Sequence, residues 1–381
     1  MLTILDYIEK NQKTFEEEPL NEIDILILSE FTMLNFKKAI KPITISKKLA
    51  FQEYLDIIIS ASNLNKPTYI KDLYRQELFS LLVDSHQDEK NLQLLHLLCA
   101  SRRFRMVALK YHVDEFDVSK EKQFSATTFI YQKAFAVIAF RGTDATFVGW
   151  KEDFNMAYIC PIASHIEARQ YLDAIAGYLP KNLYVAGHSK GGNLAVYAAI
   201  HCKKAIRDKI TRVYSFDGPG FTSEVLKLPA YQQIQTKMLK IVPQGSIIGL
   251  LLETLEPIKV VTSNGFWINQ HDPYSWELTD SWDFKYLDDV DINAKRTKIS
   301  IDDWYTSFDD EGKKLFINEV YRILIATGAN NFAELNSNIS KYLPKIISFV
   351  TNMDKDKRKL VIDSFVNLGK SHMKNLTLKI K

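Results

Sequence analysis

The stretch Tyr184–Ala199, YVAGHSKGGNLAVYAA, contains the feature on which the prediction of the fold rests. An apolar run ends at Ala186, and an alanine-rich segment of helix-forming residues follows the glycines. Between them, GHSKG (187–191) fits the pattern G-x-S-x-G, in which a serine occupies a sharp turn from a strand into a helix. The pattern predicts that Ser189 is a nucleophile whose hydroxyl stands above the edge of a sheet. The alternative is a structural serine in a glycine-rich turn.

The residues around Ser189 are expected to support this turn. A Cβ at a flanking position would collide with the neighbouring strand or helix, which explains the glycines at positions 187, 191 and 192. The helix that follows would point its amide end at a developing oxyanion, with the N–H of Lys190 as the expected donor. His188 is not predicted to be a general base, because its side chain should point the other way and pack or hydrogen-bond beneath the turn.

Strands alternate with helices on both sides of this turn. Three β-rich runs come first: RMVALKYHV (105–113), ATTFIYQ (126–132) and AFAVIAF (134–140). A helix at about 166–179 is then predicted, followed by strands at NLYVAGH, RVYSFD, KMLKIVPQ and IKVVTS with helical segments between the first three. Such alternation is typical of α/β proteins and predicts a mostly parallel sheet flanked by helices.

The two ends of the chain have helical periodicity without a strand series. We therefore expect residues 1–103 to form an N-terminal helical region that packs on the core. Residues 104–300 would form the α/β core, and residues 301–381 a C-terminal helical extension. One helix of that extension should end at Gly328, since glycine commonly terminates helices.

Composition and charge exclude several classes of protein. The 381 residues are 46% hydrophobic, and the net charge of +3 is the small difference between 49 basic and 46 acidic residues. A net charge this small gives the protein no overall electrostatic attraction for nucleic acid. Asp6 and Glu9 are atypical of a signal peptide, and no run reaches the roughly 18 apolar residues of a membrane span. We expect a cytoplasmic protein without stable membrane insertion, in which Cys99, Cys160 and Cys202 are free thiols.

The segment FRGTD (140–144) follows the most apolar early strand. A second oxyanion donor is expected at such a strand end, beside the serine turn. The segment resembles class 3 lipases, in which FRG followed by Ser or Thr supplies that donor, and the resemblance assigns this role to Thr143. Those lipases continue with Trp-x-x-Asp, here within GWKEDF (149–154), and the resemblance implies that Asp153 steadies the hydroxyl of the donor. Alternatively, Thr143 and Asp144 form a side-chain-capped turn.

Four segments together carry a wider resemblance: FRGTDATFVGWKEDFNM (140–156), YVAGHSKGGNLAVYAA (184–199), FDGPGF (216–221) and QHDPYSW (270–276). They resemble an uncharacterised bacterial α/β-hydrolase family related to class 3 lipases. The resemblance implies an α/β-hydrolase fold over most of the chain and a serine nucleophile. It implies no particular substrate.

A serine nucleophile near neutral pH requires a histidine base, and in this fold the order along the chain is Ser, acid, His. Of the later histidines, His201 lies about three turns down the predicted helix and His372 lies in the C-terminal extension. His271 remains, in the loop NGFWINQHDPYSW (264–276) after the strand IKVVTS. We predict that His271 is the base; the alternative is a loop histidine that caps a turn with Asp272.

The acid is less directly indicated. Class 3 lipases carry an Asp after the next-to-last strand, but KIVPQGSIIG (240–249) offers Gln244, Gly245 and Ser246 and no carboxylate. Asp217, one strand earlier, stands before a Gly-Pro-Gly turn, where some other lipases of this fold place the acid. We therefore predict Asp217 as the acid, with an Asx-turn role as the alternative and Glu253 as the fallback.

These residues predict a serine hydrolase, similar to carboxylesterases and lipases, that acts on a carboxylic ester or thioester through a Ser-His-Asp triad. No metal or organic cofactor is required, and the partner would be a small acyl ester or lipid-like substrate. Residues 145–161 would either form a lid over an apolar acyl pocket or pack as an aromatic run. The alternative function is a non-catalytic binding scaffold of the same fold.

Overall fold

A computed structural model of the chain describes residues 1–40, 50–83, 88–144 and 146–376. Ala145, at the start of the predicted lid, and the last five residues of the C-terminal extension lie outside the described residues.

The described residues form one sheet of nine strands, which lie side by side in the order of the chain. From the first to the fourth strand the neighbours are antiparallel, from the fourth to the eighth they are parallel, and the ninth is antiparallel. The strands are β1 (Thr68–Tyr69), β2 (Ala108–Asp117), β3 (Lys122–Tyr131), β4 (Phe135–Phe140), β5 (Leu183–His188), β6 (Ile210–Phe216), β7 (Met238–Pro243), β8 (Ile258–Val261) and β9 (Tyr286–Leu287).

The α/β class is as predicted, and β2 to β8 lie where the sequence indicates strands. The sheet is mixed rather than mostly parallel, because four of its eight pairings are antiparallel. The two edge strands, β1 and β9, were not predicted, since a run of two residues has no periodicity to detect.

The helices in the described ranges surround this sheet. They are α1 (Ile4–Lys10), α2 (Glu22–Phe31), α3 (Phe51–Leu64), α4 (Gln76–Leu82), α5 (Asp88–Ala100), α6 (Phe147–Asn155), α7 (Ala163–Ile175), α8 (Lys190–His201), α9 (Lys204–Lys209), α10 (Ser223–Leu226), α11 (Pro229–Ile234), α12 (Ile292–Thr306), α13 (Asp310–Thr327), α14 (Phe332–Ser337), α15 (Ile339–Asn352) and α16 (Lys355–Asn375).

The central strands are buried on both faces, and their side chains alternate between two apolar cores. In β4, Val137 and Ala139 belong to the core shared with α1, α2 and α5, whereas Ile138 belongs to the core shared with α7, α8 and α11. Connections between parallel strands are right-handed, so successive crossover helices in a sheet of sequential order lie on one face. The N-terminal helices thus supply the cover for the opposite face.

The C-terminal helices pack on one another and on α6. Gly328 has φ of 73° at the end of α13, as expected for a glycine that terminates a helix. Helix α12 runs through residue 300, where the sequence places the boundary of the core, and the division into three regions stays a prediction. Within the described ranges, every helix is too short or too polar to cross a lipid bilayer.

Candidate active site

Ser189 occupies the turn between the end of β5 and the start of α8. Its backbone has φ of 56° and ψ of −130°, a combination that costs free energy for a residue with a Cβ. Its N–H donates to the carbonyl of Phe216 at 2.9 Å, which ties the turn to the end of the neighbouring strand β6. The residue is half-buried. The local structure is therefore the strained strand-to-helix turn that the sequence predicts.

The glycines of the motif allow α8 to approach the sheet. A Cβ on Gly187 would meet the backbone of Gly191 and the carbonyl oxygen of Phe140, and a Cβ on Gly191 would meet that same carbonyl. A Cβ on Gly192 would lie 2.7 Å from the hydroxyl of Ser215 on β6. Larger residues at these positions would push the helix off the strands that carry the turn.

His271 and Asp217 form a hydrogen-bonded pair. Their side chains meet at 2.6 Å between His271 Nδ1 and Asp217 Oδ2. Asp217 is fully buried, whereas the His271 side chain is 23% exposed. A carboxylate on Nδ1 fixes the imidazole tautomer and leaves Nε2 as the nitrogen that can accept a proton.

Asp217 is held from two sides. Its N–H donates to the carbonyl of Ile241 at 2.8 Å, and its Oδ1 accepts from the hydroxyl of Ser246 at 2.5 Å. Ser246 lies in the segment after β7 where the resemblance led us to look for the acid. At that position this chain has the hydroxyl of Ser246, which donates to Asp217, the residue that follows strand β6. The sequence alone does not point to Ser246, because a lone serine in a turn carries no pattern.

The loop that carries His271 is anchored on both sides of the residue. Gln270 accepts from the N–H of Gly245 at 2.8 Å through Oε1, and its carbonyl accepts from the Trp276 indole at 2.9 Å. Asp272 caps the following turn by accepting from the N–H of Tyr274 at 3.0 Å. Asp272 thus has the turn-capping role, while His271 pairs with Asp217.

Among the described residues, no hydrogen bond joins Ser189 Oγ to His271 Nε2. Ser189 nevertheless lies beside the pair, because its N–H donates to the carbonyl of Phe216, the residue before Asp217. Catalytic hydrogen bonds are often long or poorly aligned until a substrate is bound. The structure brings together the acid and the histidine, and it places the serine beside them.

Thr143 and Lys190 lie where the oxyanion donors are expected. A Cβ on Gly142 would be 3.4 Å from Ser189 Cβ, so the residues after β4 lie against the serine turn. In the described parts of the chain, neither the N–H of Thr143 nor that of Lys190 donates to another group. Two amides without an acceptor beside a strained serine can bind an anionic oxygen.

Asp153 contacts the Thr143 hydroxyl, which donates to Asp153 Oδ2 at 2.5 Å. Burial raises the pKa of Asp153 to about 7, against the opposing effect of Lys190, whose Nζ lies 3.9 Å from Oδ1. Asp144 instead accepts from the N–H of Thr146 at 3.0 Å and caps the turn before α6. The capped turn that we considered thus involves Asp144, and the Thr143 hydroxyl contacts Asp153.

The Lys190 side chain forms a buried ionic network behind the site. Its Nζ is fully buried, donates to the carbonyl and the side chain of Gln123 at 2.9 Å each, and lies 3.1 Å from Glu152. Glu152 also accepts from the hydroxyl of Ser164 at 2.7 Å. Breaking a buried ion pair on one side typically destabilises a protein by about 3–5 kcal/mol. This network, which sequence reasoning missed, links the serine turn to α6 and α7.

The raised pKa of Asp153 predicts a pH-dependent stability. Between about pH 4, where an unfolded Asp ionises, and pH 7, the folded state binds more protons than the unfolded state. The free energy of unfolding therefore falls as the pH rises through this window. Asp153→Asn removes the titration, so the free energy of unfolding of the variant relative to wild type should rise by on the order of 2 kcal/mol between pH 5 and pH 8. Urea unfolding at both pH values measures this change; a constant difference would contradict it.

Helix α6 corresponds to the predicted lid, and it is packed on several sides. Lys151 pairs with Glu121 at 2.6 Å, and the ring of Trp150 lies 4.9 Å from that of Phe332 on α14. The Phe147 ring also contacts Phe332 at 4.9 Å. These contacts, together with the buried Glu152, favour the alternative of a packed aromatic run.

His201 and the cysteines lie outside the site. His201 stacks on Tyr197 at 4.1 Å at the far end of α8. The three cysteines form no disulfide. Within the residues that the structure describes, no group of three or more His, Cys, Asp or Glu side chains is arranged to hold a metal ion.

Fold and site together define the class: an α/β protein in which a strained serine stands beside a buried aspartate paired with a histidine. The chain belongs to the Mbeg1-like family, whose model matches residues 98–322. No curated protein matches the chain. Among solved structures, the native Rhizomucor miehei lipase propeptide complex is similar, with a TM-score of 0.32 and 10% identity over 61% of this chain and 86% of that one. A TM-score this low carries no weight for fold or function.

Proposed function

We propose that the protein is a serine hydrolase of the α/β-hydrolase fold that cleaves carboxylic esters or thioesters. The observation that carries the proposal is the hydrogen bond of 2.6 Å between His271 and the fully buried Asp217. Asp217 follows β6 and Ser189 follows β5, and because these neighbouring strands are parallel, both residues lie at the same edge of the sheet. A pairing of this kind beside a strained serine is the arrangement that nucleophilic catalysis requires.

The proposed reaction uses one proton shuttle. Ser189 Oγ attacks the acyl carbon while His271 Nε2 takes the serine proton, and Asp217 stabilises the imidazolium that forms. His271 then protonates the departing alcohol or thiol, which leaves the acyl group on Ser189. Water attacks this acyl-enzyme with the same proton shuttle and releases the carboxylic acid.

The negative charge that develops on the carbonyl oxygen would be stabilised by the amides of Thr143 and Lys190. The Thr143 hydroxyl can contribute only when its single hydrogen is not directed at Asp153. An ionised Asp153 accepts that hydrogen, whereas a protonated Asp153 donates its own and leaves the hydroxyl free to face the oxyanion. The raised pKa of Asp153 favours the protonated form below about pH 7.

The acyl part of the substrate would be apolar. Helix α6 (Phe147–Asn155) begins four residues after Thr143, and it carries the half-exposed rings of Trp150 and Phe154. Exposed aromatic rings offer the apolar surface that acyl chains bind. The proposal therefore includes a small acyl ester or a lipid-like molecule as the substrate.

The test is hydrolysis of p-nitrophenyl esters with acyl chains of increasing length. We expect nitrophenol release well above the spontaneous rate, and a mass increase on the Ser189 peptide equal to the acyl group after acid quenching. A rate equal to the spontaneous one for every chain length, with no acylated peptide, would instead support the non-catalytic scaffold.

A further inference from the structure

Glu30 is a buried carboxylate in an apolar helix. It is 5% exposed in α2, where Ile25 to Phe31 are all buried, and α2 packs on β5. Its Oε1 lies 2.9 Å from Nδ1 of His188, the residue before the proposed nucleophile. Because an unpaired buried charge is strongly unfavourable, this carboxylate requires a partner, and His188 provides it.

The opposite edge of the His188 ring faces another acceptor. Its Nε2 lies 2.9 Å from the main-chain carbonyl oxygen of His271, and the two rings are 4.5 Å apart between centroids. A carbonyl and a carboxylate both accept hydrogen bonds, whereas a neutral imidazole carries only one N–H. Only an imidazolium presents an N–H toward each of these two acceptors.

The surroundings of His188 favour its charged form. Burial lowers the pKa of His188, but the charges of Glu30 and Asp217 and the contact with the His271 carbonyl outweigh burial and raise that pKa. On the histidine loop, the Trp276 ring lies edge-on at 6.4 Å from the His188 ring, and Tyr274 lies within the electrostatic influence of Glu30. The pKa of Tyr274 is raised well above its usual value by burial and by Glu30, so Tyr274 stays neutral.

We propose that His188, as an imidazolium held by Glu30, is a positioning residue that fixes the main chain and the ring of His271 for proton transfer. This inference rests on the proposed function. It gives the N-terminal helices a role beyond covering the sheet, because α2 supplies the carboxylate on which the arrangement depends. The sequence predicts that His188 packs or hydrogen-bonds beneath the turn, but it does not predict the partner.

The proposal has a signature in the pH profile. The proposed positive charge on His188 lies 4.5 Å from the His271 ring, measured between ring centroids. Removing the charge should move the acidic limb of kcat/KM to higher pH by up to about 0.7 pH unit, which is the Coulomb interaction of a single charge at that distance in water, because Glu30 offsets part of it. A loosened His271 should also lower kcat by on the order of 10- to 100-fold.

The experiment compares Glu30→Gln, His188→Gln and the double variant with wild type. His188→Gln can keep one donor for the His271 carbonyl but carries no charge. Both single variants should move the acidic limb to higher pH, and the double variant should match Glu30→Gln, because neither of these two proteins keeps a charge on the pair. The matched control is Glu319→Gln, which removes an equally buried carboxylate from an ion pair in the C-terminal helices. It should leave the acidic limb in place, so a shift there would show that loss of stability alone moves the profile and would overturn the proposal.

Imidazole NMR with ¹⁵N-labelled histidine tests the proposal without activity. In wild type at pH 7, both nitrogens of His188 should be protonated, and the His271 Hδ1 proton should give a low-field signal from its bond to Asp217. Glu30→Gln should make His188 neutral and broaden or abolish that signal. A neutral His188 in wild type, or an unchanged His271 signal in both single variants, would overturn the proposal. If wild type lacks esterase activity, the proposed function fails, while these two signals still decide whether His188 positions His271.

Discussion

Ser189→Ala should lower the turnover of short-chain acyl esters by a factor on the order of 10⁶, because it removes the atom that attacks the acyl carbon. The free energy of unfolding should stay within about 0.5 kcal/mol of wild type. The hydroxyl is on a half-buried turn and makes no hydrogen bond in the described structure, so its loss leaves no partner unsatisfied. Steady-state kinetics and thermal unfolding of the two proteins measure both quantities.

The matched control is Ser215→Ala. Ser215 lies on β6 beside the serine turn and is buried, and its hydroxyl has no hydrogen-bond partner among the described residues. This variant removes the same atom from the same neighbourhood but should keep turnover within a few-fold of wild type. Equal turnover in Ser189→Ala and Ser215→Ala would contradict the assignment of Ser189 as the nucleophile.

Asp217→Asn should lower turnover by about 10⁴-fold while the protein remains folded. An amide at this position can donate to His271 Nδ1, which would stabilise the tautomer with its hydrogen on Nε2. That tautomer cannot accept the proton of Ser189. The Ser246 hydroxyl, at 2.5 Å from Asp217 Oδ1, can still donate to the amide oxygen, so the buried site stays hydrogen-bonded.

Asp272→Asn controls for the loss of a carboxylate close to His271. Asp272 caps Tyr274 and pairs with Lys90 at 2.6 Å, away from the Nδ1 of His271. Its replacement should change turnover less than tenfold. A comparable loss in Asp217→Asn and Asp272→Asn would mean that neither carboxylate acts specifically on His271. The backbone of Glu253, the residue considered as an alternative acid, forms an antiparallel bridge with that of Phe221.

The features that were predictable from the sequence are those encoded locally. The turn at Ser189 lies within sixteen residues that contain the end of β5, the glycines and most of α8. The apolar runs of β4 and β5 are buried on both faces, so their strand signal is continuous and strong. Elimination along the chain indicates His271, because only three histidines follow Ser189, and its role as the base stays a prediction.

The features that escaped prediction depend on contacts between distant segments. Glu30 lies in the run DILILSEF (24–31). The sequence feature that could have indicated a role for it is a single acid near the end of an apolar helix. Nothing local shows that this acid reaches His188. Lys190 could be assigned a role for its N–H, but its side-chain partners lie on β3 and α6. Periodicity reports burial and not the identity of a partner.

The most direct test of the central claim is labelling of the full-length protein with a fluorophosphonate probe, followed by peptide mapping. An activated serine reacts with such a probe, whereas an ordinary serine does not. We predict one adduct per chain, located on Ser189, with labelling lost in Ser189→Ala, slowed in Asp217→Asn and unchanged in Ser215→Ala. A wild-type protein that remains unlabelled, or one labelled at a different serine, would contradict the account.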